Sequence, residues 1–294
     1  MDQQKQTLDY FRFHAEDWNR KATNQAYSLI ENRHNAVLEV MKGYQHDSSL
    51  LDVGCGTGQL AIEASKLGWN SLGIDFAKEM IDTCLINNEI ASTNARFVCS
   101  SIFEANLKNN AYDVISAQGF IEYITLEQLA EFLSLAFSSL KRNGAIALGS
   151  RNRLFNLHSY NHFTDLELSL GTSERLTRES IILQSSEEQV DAVQKLKSLS
   201  YEYEQPTTHP LTGVRVDTRY QFSPADLISK LSKTGYKVKK IYPVHLHPLP
   251  ITMLNNELAV EIHNHLAKLA STVWINSHKL VPYSSSFVIE AQKM

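Results

Sequence analysis

Between Leu50 and Asp75 the chain reads LLDVGCGTGQLAIEASKLGWNSLGID: a short apolar run, a glycine-rich turn, a helical stretch and a second apolar run ending in a carboxylate. Few folds accommodate that order. Leu50, Leu51 and Val53 stop abruptly at Gly54, Cys55, Gly56, Thr57 and Gly58, after which Leu60, Ala61, Ala64 and Leu67 recur at helical spacing. Glycines let the backbone approach a ligand closely, and the turn points the free N–H groups of the next helix at it. Asp75 closes the following strand, Ser71 to Ile74, roughly 20 residues downstream, where an acidic side chain accepts hydrogen bonds from both hydroxyls of an adenosine ribose. The pattern predicts a nucleotide-cofactor site; the plain alternative is a tight strand-to-helix turn without a ligand, against which Asp75 argues.

The glycine spacing separates two cofactors. A dinucleotide fingerprint, GxGxxG, needs its third glycine at position 59, which is Gln59. The pattern is instead GxGxG preceded by Asp52 on the strand, and it resembles motif I of the class I S-adenosylmethionine-dependent methyltransferases. The resemblance implies that the methionine end of the cofactor lies along Gly54, Cys55, Gly56 and Gly58, near Asp52, and that Asp75 holds the ribose.

A chain of 294 residues with 43% hydrophobic and 20% charged content can bury a substantial core without staples. Its net charge of −4 and the lack of a Lys/Arg cluster argue against nucleic acid as a main partner. Cys55, Cys84 and Cys99 have neither CxxC spacing nor an even count, so they read as reduced core or turn residues. The first residues carry no apolar secretory core, and no apolar run is long enough to span a bilayer. The expected location is the cytoplasm, and oligomeric state is left open.

Four segments are expected: an N-terminal helical cap (1–45), a Rossmann-like cofactor core (46–151), an inserted lid or substrate region (152–218) and the remainder of the core sheet (219–294). In the first, Leu8, Phe11, Ala15, Trp18, Ala26, Leu29, Ile30, Val37, Leu38 and Met41 approximate a 3.6 period that stops at Gly43. Strands are predicted at 50–53, 71–75, 95–99, 112–117 and 145–150, with helices near 58–67, 77–90 and 125–141. Alternation of this kind predicts an α/β, doubly wound, mostly parallel sheet with the ligand at the carboxyl ends of the strands. Ser223 and Pro224 open a further helix that Gly235 ends, a strand follows over Tyr236 to Tyr242, and a last strand spans Ser286 to Ala291. Seven strands with a late hairpin match the class I methyltransferase fold. The intervening stretch, 152–221, is polar and partly helical, with a turn region from Pro206 to Gly213; it reads either as a solvated surface insertion or as a substrate lid.

The resemblance extends along most of Leu50 to Ala147 and from Arg219 to Val244. IDFAKEMIDTC matches the segment after the second strand and implies Phe76 and Met80 as packing partners of the adenine, although Ala77, Met80, Ile81 and Cys84 also form one core stripe. In FVCSSIFEANL the usual adenine-binding aspartate is Ser101, which leaves recognition to the Ser101 hydroxyl, the Ile102 backbone and apolar packing. AYDVISAQGFIEYI resembles motif IV: Asp113 is structural in many relatives, and Gln118 lies just beyond the strand end, where donor and acceptor meet. Glu122 and Tyr123 stand where several quinone-directed relatives carry Glu-His; the Tyr123 replacement weakens a metal-assisted or quinone reading. Arg142, Asn143 and Gly144 form the turn before the next strand, which exits through Arg151. Arg219 and Tyr220 open the later unit, beside the substrate cleft or in a structural salt bridge.

Methyl transfer from a sulfonium is an in-line displacement, so alignment and water exclusion dominate, and an oxygen nucleophile also benefits from a general base. His245 and His247, in VHLHPLP after a predicted strand, are the expected bases, with loop histidines as the alternative. Phe11, His14 and Trp18 at i, i+3 and i+7 give one aromatic face that, with Tyr10, is a candidate to close over the cofactor. His158 and His162 share a face at i, i+4 but have no third ligand spaced with them, so no metal is expected. The expected function is methylation of an oxygen or nitrogen of a small molecule, with S-adenosylmethionine as cofactor and S-adenosylhomocysteine as product. A protein or RNA methyltransferase, or a non-catalytic cofactor-binding scaffold of the same fold, are the alternatives.

Overall fold

In the computed structural model, which describes residues 3–23, 28–199 and 219–294, the chain opens with three helices: α1 (Gln3–Phe13), α2 (Ala15–Thr23) and α3 (Ser28–Met41). Strands and helices then alternate through β1 (Ser49–Val53), α4 (Gln59–Lys66), β2 (Asn70–Asp75), α5 (Lys78–Ala91), β3 (Arg96–Cys99), β4 (Tyr112–Gln118), α6 (Leu126–Ser139) and β5 (Leu140–Arg151). The inserted stretch forms α7 (Arg153–Ser159), α8 (His162–Ser169), α9 (Ser173–Ser185) and α10 (Gln189–Ser198). The chain closes with α11 (Pro224–Thr234), β6 (Tyr236–Leu246), α12 (Glu257–Val273) and β7 (Ser284–Lys293).

The seven strands form one sheet in the order β3-β2-β1-β4-β5-β7-β6. All pairings among the first five are parallel, and β7 runs antiparallel to both β5 and β6. Because β1 is flanked by β2 on one side and β4 on the other, the following connections diverge there, leaving a crevice at the carboxyl ends of β1 and β4. That crevice is where the glycine turn emerges.

Alternation along the central strands builds two hydrophobic layers. Leu51, Val53, Ile115 and Ile146 pack with α6, α11 and the insertion, whereas Leu50, Val114, Ala145 and Ala147 pack with Val37 and Val40 of α3 and Leu60 of α4. Each fully buried leucine or isoleucine contributes about 1.5–3 kcal/mol. Capping sets the helix starts: Thr125 and Gln128 form a reciprocal capping box on α6, as Ser223 and Asp226 do on α11, where Pro224 occupies the first turn.

Several expectations change. The N-terminal period is broken at His14, so α1 and α2 are separate helices. Arg142 to Gly144 is an irregularity within β5, where the partner of Tyr112 is Leu140 and that of Val114 is Ala145. A Cβ on Gly144 would lie 3.0 Å from the carbonyls of Asp113 and Lys141, which is why glycine stands there. Cys55 and Cys84 are buried thiols, but Cys99 is exposed on the edge strand β3. The stretch 152–199 is a packed helical layer, with Leu154, Leu176, Leu183 and Leu196 in the main core. The Pro206–Gly213 turn region lies outside the described residues. His158 and His162 belong to different helices because Tyr160, at φ 50°, ends α7 between them.

Candidate active site

The β1–α4 turn takes its shape from three positive-φ glycines, Gly54 (66°), Gly56 (53°) and Gly58 (87°). The amides of Gly54 and Cys55 both donate to the Ile74 carbonyl, at 2.8 and 3.1 Å, which locks the turn onto β2. Gly58 serves packing: a Cβ there would lie 2.9 Å from the Phe97 ring and 3.0 Å from the Cys84 sulfur. Asp75 closes the far side, its Oδ2 accepting from the Gly56 amide and its Oδ1 from the Ala77 amide, both at 3.0 Å. Burial pushes the Asp75 carboxyl up to about 6, with those backbone donors pulling the other way.

From this turn a cavity runs between the crevice and the N-terminal helices. One half is lined by Gly54, Cys55, Gly56, Asp75, Phe76 and Met80, with Ser101 and Ile102 from the β3–β4 connection. Trp18 of α2 and Phe11 of α1 roof it, their rings 5.9 Å apart. At the mouth of β4, Gln118 donates from Nε2 to the Ala147 carbonyl at 2.9 Å, while its buried Oε1 has no hydrogen-bond partner among the described residues. Gly149 makes room for that amide: a Cβ would meet Oε1 at 2.1 Å.

The other half is organised by Glu122, only 1% exposed. Its Oε1 accepts from Arg33 at 3.1 Å and from the Arg151 amide at 3.1 Å; its Oε2 accepts from Arg219 at 3.1 Å and lies 3.4 Å from Arg151 Nε. Burial alone would raise the Glu122 carboxyl, but Arg33, Arg219 and Arg151 outweigh it and hold it below the ordinary range. One carboxylate against three guanidiniums leaves this half net positive. Tyr123 backs the cluster, with Arg219 over its ring at 5.2 Å and Phe11 edge-on at 5.2 Å.

Residues 50–144 match a family model described as a methyltransferase domain. The chain is 30% identical over 124 residues to a ubiquinone biosynthesis O-methyltransferase of Rickettsia bellii, covering 41% of this chain and 50% of that protein. A Vibrio campbellii protein of the same name is 31% identical over 129 residues, 44% of this chain and 53% of that one. The chain thus spans about half the length of the curated relatives it matches. Among solved structures, the magnesium protoporphyrin IX methyltransferase of Synechocystis, with bound S-adenosylhomocysteine, covers all of both chains at 14% identity and a TM-score of 0.57. A Methanosarcina mazei S-adenosylmethionine-dependent methyltransferase aligns over 87% of this chain and 97% of its own, at 16% identity and a TM-score of 0.56. The fold is therefore the seven-stranded class I methyltransferase fold.

The matched span contributes the turn, Asp75 and Gln118 to the cleft, whereas Arg33, Arg151 and Arg219 lie outside it. Of the residues singled out from sequence, Gly54, Cys55, Gly56, Asp75, Phe76, Met80, Ser101, Ile102, Gln118 and Trp18 line the cavity, as do Glu122, Tyr123, Arg151 and Arg219. Six do not. Asp52 is buried behind the turn, its carboxyl pushed up to about 7 by burial. Gly58 faces Phe97, Tyr10 stacks on His14 at 4.3 Å, and Tyr220 is buried, its amide donating to the Glu122 carbonyl at 2.8 Å. His245 and His247 face each other across 4.6 Å and turn toward α12. Burial pushes them down to about 4 and about 3, which makes them poor bases, and neither lines the cavity.

Sequence reasoning missed Arg33 and His34, both on the cavity wall. Their signal was a polar pair inside the inward stripe Ile30, Arg33, His34 and Val37 of α3. Nor do the described insertion residues, 152–199, line the cavity. The N-terminal helices cover it instead.

Proposed function

We propose that the chain transfers a methyl group from S-adenosylmethionine to an oxygen or nitrogen of a small, negatively charged acceptor. The observation that carries this reading is the two-ended cleft: a glycine cradle and Asp75 at one end, an arginine cluster at the other, and the unpaired Gln118 Oε1 between them. The residues fit the cofactor. Asp75 retains lone pairs for ribose hydroxyls, and the Gln118 oxygen suits an ammonium donor. Phe76, Met80 and Ile102 give the adenine an apolar seat, with the Ser101 hydroxyl in place of a carboxylate. Bound there, S-adenosylmethionine supplies an activated methyl group and a neutral leaving group.

The chain's own residues then position and shield. Trp18 and Phe11 roof the cleft, which limits water and favours a small acceptor over a protein or RNA chain. Arg151 and Arg219 draw in and orient an anionic acceptor, while Glu122 fixes both guanidiniums. His34, lowered to about 4 by burial and by Arg33, stays neutral on the wall. With no strong base beside the acceptor end among the described residues, the acceptor is expected to arrive already ionised or as a free amine.

Calorimetric titration of the full chain with S-adenosylmethionine and S-adenosylhomocysteine tests this reading. Both should bind one to one. Asp75→Ala should weaken them by about 1–3 kcal/mol, roughly 5- to 150-fold. Wild-type affinity should fall as pH drops below about 6, because protonation removes the ribose acceptor. Absence of binding by either ligand at millimolar concentration excludes the methyltransferase reading and the cofactor-binding scaffold alike.

A further inference from the structure

Outside the cleft, three imidazoles converge where β6 ends. His245 sits at φ 58°, a left-handed conformation that a non-glycine residue adopts at a cost. The ladder with β7 passes over it, pairing Val244 with Ser286 and Leu246 with Ser284. The result is that the His245 and His247 rings come within 4.6 Å. Helix α12 then lays His263 beside them, its ring 5.0 Å from His247 and 6.3 Å from His245. One nitrogen from each of the three residues lies within 4.8 Å of the other two.

The hydrogen bonding is what separates this cluster from ordinary packing. Both ring nitrogens of His247 and the Nδ1 of His263 are buried, with no hydrogen-bond partner among the described residues. Each such orphan loses its hydrogen bonds to water on burial without replacement. Three of them side by side need a ligand to offset that loss. A cation bound between the three rings would take a lone pair from each of them and so meet that need.

The donor set selects the ion. Three nitrogens, with no carboxylate grouped with them among the described residues, disfavour calcium and magnesium, which require oxygen ligands, and favour zinc or a neighbouring transition metal. Zinc–nitrogen bonds of about 2.0–2.1 Å in tetrahedral array put the nitrogens about 3.4 Å apart and the ring centres about 5 Å apart. The observed ring separations bracket that value, so small rotations of the rings complete the site. His245 already has the outer partner such a ligand needs: its Nδ1 meets the Ser285 hydroxyl at 2.9 Å, which fixes the ring and leaves Nε2 for the ion. Phe155 packs against His247 at 4.3 Å and shields one side.

We propose that His245, His247 and His263 bind one zinc ion, which clamps α12 to the end of β6. The helix needs such a clamp. Of its residues only His263 and Ala267 are buried, while Leu258, Ile262, Leu266 and Leu269 are exposed. None of the three histidines lines the cleft, so the ion is structural and separate from methyl transfer.

The test uses the full chain, stripped with a chelator and titrated with cobalt and then zinc. Stripped wild type should take up one cobalt per chain with the visible bands of a tetrahedral site, and zinc should displace it. His247→Ala and His263→Ala should each weaken zinc binding by at least about 100-fold. His265→Ala, on the exposed side of the same helix, should leave it unchanged. Zinc should raise the thermal midpoint of wild type and not of His263→Ala. The proposal fails if stripped wild type binds no stoichiometric metal, or if His247→Ala and His265→Ala bind alike. Should a histidine variant not fold, the stoichiometry and cobalt spectrum of wild type decide alone.

Discussion

Arg33, Arg151 and Arg219 share one carboxylate, yet they need not share one ligand. Arg33 leans over Gly119, its NH1 2.6 Å from where a Cβ would stand, and so sits nearest the mouth of β4 and the Gln118 amide. It also donates to the Ser286 hydroxyl at 3.0 Å, which holds it from the β7 side. That position suits the carboxylate of a bound methionine moiety. Arg151 is the most exposed of the three, its side chain 32% accessible against 13% for Arg33 and 5% for Arg219, so it is the one a second ligand reaches. Replacing Arg33 by methionine should weaken cofactor binding roughly tenfold, the ordinary value of one charged hydrogen bond. Arg151→Met should instead raise the acceptor KM with cofactor Kd within about twofold. Calorimetry for the cofactor and initial rates for the acceptor separate the two roles, and equal effects of both variants on cofactor Kd would remove the division.

Among the elements, the insertion is the one whose role changed most. Helices α7 to α9 are fastened by two buried ion-pair networks. Arg153 donates to both Glu167 oxygens, at 3.0 and 2.5 Å, with Asn156 and Thr172 completing the shell. Arg175 joins Glu179, Ser223 and Asp226, tying α9 to the start of α11. Burial would raise the Glu167 carboxyl, but Arg153 outweighs it and holds it low. Arg153→Met leaves Glu167 buried without its partner and should cost about 3–5 kcal/mol in denaturant unfolding. Cofactor Kd should stay within about twofold, because the described insertion helices lie away from the cleft. A large change in Kd would restore the lid. This contrast explains what could be read in advance. Strands such as Leu50–Val53 and Val114–Ala117 are buried on both faces and appear as apolar runs, and Asp75 follows from spacing along one βαβ unit. Nothing in the sequence marks Arg153 and Glu167 as buried, because their burial depends on each other. His245 and His247 looked poised for the cleft because a strand direction does not reveal that His245 takes positive φ or that α12 covers it.

At the scale of the whole molecule, Glu122 is a latch between distant parts of the sequence. Its partners come from α3, the end of β5 and the residue that follows the insertion, with Arg33 linking onward to β7. Loss of its charge should therefore loosen the N-terminal helices, the strand ends and the return from the insertion together. Because Glu122 is buried, Glu122→Gln leaves three guanidiniums without a counter-charge and should cost about 3–5 kcal/mol near neutral pH. The pH dependence identifies the cause. The folded carboxyl is held below its unfolded value, so its contribution is fully present above about pH 5 and disappears as pH falls through the folded value. Denaturant unfolding of wild type and Glu122→Gln should accordingly differ most at pH 6–8 and converge as pH falls through the folded carboxyl's value, below the ordinary one. A difference that persists undiminished in acid would assign the loss to packing, since an amide and a protonated carboxyl carry the same charge.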